Sequence, residues 1–169
     1  MSLTHADGDG YPKMVDVSQK PATRRRAAAA GYMELCQECS DALANGHAQK
    51  GDPWSMARVA AISGAKLTAQ VLPLAHPLTL DTIDVEHYWD SERNCAWMLV
   101  EVSCESRTGV EMEAIIGVAS GLAGLYDALK SIGHRMSIGP IRLLKKEGGR
   151  RGTITAPWAE CPWQPPEKQ

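Results

Sequence analysis

Between Ala114 and Tyr126 the chain carries thirteen consecutive residues without a charge, bracketed by Glu111 and Glu113 on one side and Asp127 and Lys130 on the other. A run that is apolar all round predicts a helix covered on every side, here from about Val110 to Ile132. Ahead of it, Ile83–Trp89 and Ala96–Ser103 alternate with period two around the turn Asp90–Asn94 and predict a hairpin. Met33–Ala44 places Leu35, Cys39 and Leu43 on one helical stripe, with Asn45-Gly46 as the stop. Gly51-Asp52-Pro53 opens another helix: Asp52 suits the N-cap, and Pro53 the first helical position, where its missing N–H costs nothing. That helix is expected to reach about Gln70 with Met56, Val59, Ala60 and Ile62 inward. Pro73 and Pro77 predict an extended Leu74-Ala75-His76. Ile138–Leu144 reads as a last strand, and its Pro140 suits an edge or bulge. Met14–Ser18 is a short apolar alternation. Thr23–Met33 is ambiguous, because its alanines favour helix.

This order predicts an α+β fold, with helices on one face of a mostly antiparallel sheet. Residues 1–13 read as a flexible arm and 14–152 as a single domain. Residues 153–169, rich in proline and tryptophan, read as a tail outside the core.

Charge narrows the choice of partner. Eighteen basic and twenty acidic residues leave a net charge of −2, which argues against a nucleic-acid binder. Arg24-Arg25-Arg26 has no interleaved aromatics to suggest otherwise. No stretch reaches the roughly 18 apolar residues of a membrane span, and the first residues lack the apolar centre of a signal peptide. Five cysteines without a dense framework fit reduced thiols, so a cytoplasmic protein is expected.

Lys50 precedes a helix N-terminus and is placed for an anion. Taken alone, a solvated lysine is the simpler reading. His76, held between two prolines, suits hydrogen bonding, proton transfer or a structural cap. Asp127 and Lys130 are three apart on a helix and can touch. Desolvation would raise the pKa of Asp127 and fit it for acid–base work. Glu113 and Asp127 lie fourteen residues apart on one helix, hence ~21 Å along its axis. They serve one reaction only if helix ends from different subunits meet, which predicts an oligomer. Lys145-Lys146-Glu147-Gly148-Gly149-Arg150-Arg151 joins cations to glycines able to cradle phosphate, without matching a phosphate-binding loop motif. Cys36-Gln37-Glu38-Cys39 lacks the two further ligands of a zinc site and reads as core thiols.

The segments MVDVS (14–18), KGD (50–52), ARVAAISGAK (57–66), LPLAHPL (72–78), TGVEMEA (108–114), YDALK (126–130) and IGPIRLLKKEGG (138–149) together resemble the MoaC family of molybdenum cofactor biosynthesis, the cyclic pyranopterin monophosphate synthases. The resemblance covers about residues 14–152. It implies a ferredoxin-like fold, with Thr23–Met33 a strand. It implies a hexamer, a trimer of dimers, with sites at subunit interfaces. The implied reaction is lyase chemistry: 3′,8-cyclised dihydroguanosine triphosphate, supplied by a radical enzyme, becomes a cyclic pyranopterin monophosphate as diphosphate leaves. No cofactor or metal is implied. Carried over residue by residue, the catalytic positions fall on Lys50, Asp127 and Lys130. Substrate-binding positions fall on Leu74, Ala75, His76, Glu111, Met112, Glu113, Lys146 and Arg25. Lys130, crowded by cations, is expected to lose proton affinity. Ala75 stands where the family usually has cysteine, and Glu147 and Arg151 replace more usual serines. The rival readings are a paralogue that binds nucleotide without turnover and a ferredoxin-like nucleic-acid module.

Overall fold

Alanines at 27–30 and Gly31 make the middle of the first strand narrow on both faces, and the architecture is built around that narrowness. The computed structural model describes residues 9–46 and 51–163. Its elements run β1 (Thr23–Glu34), α1 (Gln37–Ala44), α2 (Pro53–Lys66), α3 (Thr68–Val71), β2 (Thr82–Asp90), β3 (Cys95–Ser106), α4 (Glu111–Leu129), β4 (Ser137–Glu147) and β5 (Ile154–Thr155). The strands form one sheet in the order β2-β3-β1-β4-β5, and every pairing is antiparallel. The first four strands with their two helical connections make a ferredoxin-like α+β core. Strand β1 is central, and tertiary burial overrides the helix propensity of its alanines.

Alternation along β1 divides the protein in two. Ala27, Ala29 and Met33 join the core beneath the helices. A side chain at Gly31 on that face would meet Ile141 and Val118 at 2.9 Å. Ala28, Ala30 and Tyr32 point the other way, into a second cluster with Trp97, Leu99, Leu144, Trp158 and Cys161. The tail expected outside the core therefore contributes to it. Trp158 is buried, 5.1 Å from Trp97 and 6.0 Å from Tyr32 between ring centroids, with the Arg142 guanidinium 4.4 Å over its ring. For the same reason most of β3 is buried on both faces, where a half-exposed strand was expected.

Helices α2 and α4 meet through small residues. Ala57, Ala61, Gly64 and Ala65 are the buried residues of α2 after Pro53, facing Gly117, Gly121 and Gly124 of α4. The expected inward face is corrected here: Val59 is 64% exposed, because close helix approach selects small side chains over large ones. Asp52 caps α2 as predicted, accepting from the Trp54 and Ser55 amides. Trp54 stacks on His87 of β2 at 4.3 Å and pins this helix start to the sheet edge. The helix stops at Leu67, where a new short turn, α3, begins. Residues 33–34 belong to β1, so the helix expected from Met33 begins only at Gln37. Pro140 sits in the irregular stretch where β4 slips against Gly31–Met33 of β1, as its chemistry requires.

Helix α4 is, by length and composition, apolar enough to cross a membrane, contrary to the expectation that no stretch would qualify. Ala114, Gly117, Val118, Gly121, Leu122 and Leu125 are buried against α2 and the sheet. It is not covered on every side within one chain: Met112 and Ala123 are exposed, and Ile115, Ile116 and Ala119 only half-buried.

Candidate functional site

Three segments converge at the N-terminal end of α4. The first is Thr108–Glu113, where β3 hands over to α4. The second is the loop after α3, in which the Ala75 amide donates to the Leu72 carbonyl at 2.9 Å. That hydrogen bond makes a turn at Pro73-Leu74, where a wholly extended loop was expected. The third is the stretch before β1, which brings Val15, Val17 and Lys20. Together they line a cleft of about 790 Å³ that contains Leu74, Ala75, His76, Glu111, Met112 and Glu113.

A second cleft, of about 350 Å³, shares Lys20, Thr108, Gly109 and Glu111 with the first and adds Arg25, Arg107, Lys146 and the turn to Arg151. The two are halves of one groove. Gly148 and Gly149 shape its cationic half, with φ of 88° and 75°. Only glycine adopts such angles without strain. A side chain at Gly148 would strike the Arg24 carbonyl, and one at Gly149 the Arg25 guanidinium. Of the three consecutive arginines, Arg25 is thus the one packed against this turn, held by its Nε donating to the Ser106 carbonyl at 3.1 Å.

The two glutamates differ sharply. Glu111 is fixed by Lys146, whose Nζ lies 2.5 Å from Oε1. This ion pair ties α4 to β4 across the groove. Glu113 is buried, and no described side chain donates to it. Burial, and secondarily the charge of Glu111, hold its carboxyl above the ordinary glutamate value. An enclosed carboxyl whose protonated form is favoured by burial, lining the same cleft as His76, can exchange hydrogen bonds with a polar heterocycle in a way an exposed carboxylate cannot.

Asp127 and Lys130 do not join this groove. They lie at the opposite end of α4, paired at 2.6 Å with side chains 45% and 50% exposed. One expectation is corrected here for the single chain. Lys130 is not weakened as an acceptor of protons; the hydrogen bond and charge of Asp127 raise its pKa above the usual lysine value. Lys50 lies outside the described residues.

Sequence reasoning missed Lys20 and Arg107, which line the cationic half. Lys20 lies just before β1 on the side of Arg25, and Arg107 just after its pairing partner β3. Both flank the β1–β3 ladder, which ends at Thr23 and Ser106, so no pattern in the sequence marks them.

An apolar cleft holding a buried acid and a histidine, continuous with a cradle of six cations, suits an elongated ligand with a heterocycle at one end and phosphates at the other. Comparison with known proteins agrees with that chemistry. The chain is 45% identical to a cyclic pyranopterin monophosphate synthase of Campylobacter jejuni over 153 residues, covering 90% of this chain and 97% of that protein. It is 44% identical to the protein of the same name from Thermomicrobium roseum over 151 residues, 89% of this chain and 91% of the other. The corresponding figure for Trichodesmium erythraeum is 43% over 151 residues, with the same shares. Residues 14–149 match the family model described as MoaC family, and the chain belongs to the MoaC family.

Proposed function

We propose that the protein is a cyclic pyranopterin monophosphate synthase, a lyase of molybdenum cofactor biosynthesis acting on 3′,8-cyclised dihydroguanosine triphosphate. The observation that carries this reading is the continuity of the groove through Lys20, Thr108, Gly109 and Glu111. The guanine-derived ring lies in the apolar half, where Leu74, Ala75, Met112 and their neighbours enclose it. His76 and Glu113 hydrogen-bond its edge. A backbone contact from Ala75 needs no thiol. The triphosphate lies along Arg25, Lys146, Lys20 and Arg107. Charge that gathers on the departing diphosphate is stabilised there by fixed cations, the largest contribution in sites of this kind.

Proton transfer during ring opening and pterin closure falls to Asp127 and Lys130. They reach the substrate from a second subunit, since ~21 Å of helix separates Asp127 from Glu113. The assembly is then an oligomer with sites at its interfaces, and a trimer of dimers satisfies that need. Packing against a neighbour would also dehydrate the Asp127–Lys130 pair and reverse the proton-holding bias it has when exposed. The protein works in the cytoplasm, next in sequence to the radical enzyme that makes its substrate.

The test is direct. Purified protein given the cyclised nucleotide should release diphosphate and a cyclic pyranopterin monophosphate in equal amounts. Binding of the nucleotide with neither product formed would overturn the reading.

A further inference from the structure

Helix α1 starts on a cysteine pair that the groove does not use. Cys36 is the N-cap residue, and no side-chain hydrogen bond caps the helix there. Cys39 is the third residue of the helix and is fully buried. A spacing of three puts both side chains on one edge of the first turn. Gly133, just beyond α4, closes the third side. A methyl group on it would stand 2.6 Å from Cys36 Sγ and 3.2 Å from Cys39 Sγ. Both sulfurs therefore converge on one α-carbon, and the missing side chain leaves them room to meet.

The two thiols differ in reach. Cys36 is half-buried, so a small reagent can touch it. Cys39 lies beneath, its thiol directed at the Leu129 and Gly133 carbonyls at 3.8 Å. Burial, followed by a hydrogen bond with Cys36, pushes Cys39 up to about 12. A thiol so placed is protonated in the resting protein, so Cys39 is not the first to attack. Cys95, Cys104 and Cys161 are all buried, so Cys36 is the cysteine a reagent meets first.

We propose that Cys36 and Cys39 form a redox-active dithiol that a small-molecule disulfide closes to an intramolecular disulfide. Cys36 thiolate attacks one sulfur of the reagent, forming a mixed disulfide and expelling the other half as thiolate, which takes up a proton. Cys39 then gives up its proton and attacks Cys36 Sγ, and the second half of the reagent leaves as a thiol. Two protein thiols lose two electrons, and one small disulfide becomes two thiols. This chemistry is independent of the reaction in the groove.

The experiment equilibrates the full-length protein in buffers of varied glutathione to glutathione disulfide ratio. Samples are quenched with acid, alkylated and read by peptide mass. The expected result is a Cys36–Cys39 peptide lighter by two hydrogens, titrating with the ratio, while Cys95, Cys104 and Cys161 stay alkylatable after denaturation. Cys39→Ser, or Cys39→Ala should the serine variant fail to fold, should instead accumulate glutathione on Cys36. Cys36→Ser should leave Cys39 unmodified. A stable glutathione adduct on Cys36 of the wild-type protein would overturn the proposal. So would full alkylation of both thiols at ratios that load glutathione onto the Cys39 variant.

Discussion

The two ends of α4 carry the same kind of residue in opposite surroundings. At the N-terminal end, Glu113 is sealed in and Glu111 is pinned by Lys146 across a walled groove. At the C-terminal end, Asp127 and Lys130 touch each other and face solvent. Enclosure is what turns an ionisable group into a tuned one, since a neighbour's charge counts for far more when water is excluded. On the proposed reading, one chain finishes the binding half of a site and leaves the proton-transfer half to be closed by a second subunit.

The largest effect that can test this contrast is chemical. Lys130→Ala and Asp127→Ala should each lower the rate of pyranopterin formation by about 10²–10⁴, the usual share of general acid–base groups. Because the pair is exposed, thermal melting should stay unchanged. A wild-type rate in either variant would remove that end of the helix from the reaction.

Mixing sharpens the comparison further. If the two ends serve different subunits' sites, an inactive Glu113→Ala protein and an inactive Lys130→Ala protein should regain activity when unfolded and refolded together. Mixed assemblies would then hold some sites with both ends intact. No recovery, with mixed oligomers verified by mass, would place both ends in one chain's site.

Between the ends, the helix is held by its small-residue seam. A side chain at Gly64 would strike Ser120 on α4 and come 3.1 Å from the Ile116 carbonyl. Gly64→Val should therefore cost about 1–3 kcal/mol by overpacking, measured by denaturant unfolding. Val59→Ala, on the exposed side of α2, should cost much less.

The smallest effect is a pH dependence. Glu113 has a folded-state pKa above its unfolded value, so the native state holds more protons than the unfolded state between the two. Stability must then fall as pH rises through that window. Glu113→Gln, which cannot ionise, should flatten this slope and melt higher than wild type above it. Identical slopes would mean that the carboxyl is solvated.

Much of this was legible in the residues, and the misses share a cause. The cap at Asp52, the hairpin around 90–94, the bulge at Pro140 and the long helix all rest on local chemistry, and local chemistry is written in adjacent letters. Strand β1 was unreadable because Ala27–Ala30 carry helix propensity, while the reason Gly31 beside them lacks a side chain lies in Val118 and Leu122 on a distant helix. The inward face of α2 was misjudged because apolar size was taken as the mark of burial, whereas the seam rewards absence of size. The tail was placed outside the core because prolines break regular structure. Nothing local announces that Trp158 docks on Trp97, sixty-one positions earlier. In the groove, Lys20 and Arg107 escaped notice because only the pairing of β1 with β3, whose ends they flank, brings them to the cleft of Arg25.

That tail has a use at the bench. Trp97 lies between Tyr32 and Trp158 with its indole nitrogen unpartnered among the described residues. Two indoles this close and this steeply inclined couple their electronic transitions, and the coupling vanishes when they separate. The near-ultraviolet circular dichroism of the protein is therefore a built-in gauge of whether the C-terminal segment is seated on the sheet. It can be read without a label, in the same cuvette in which the groove is being filled.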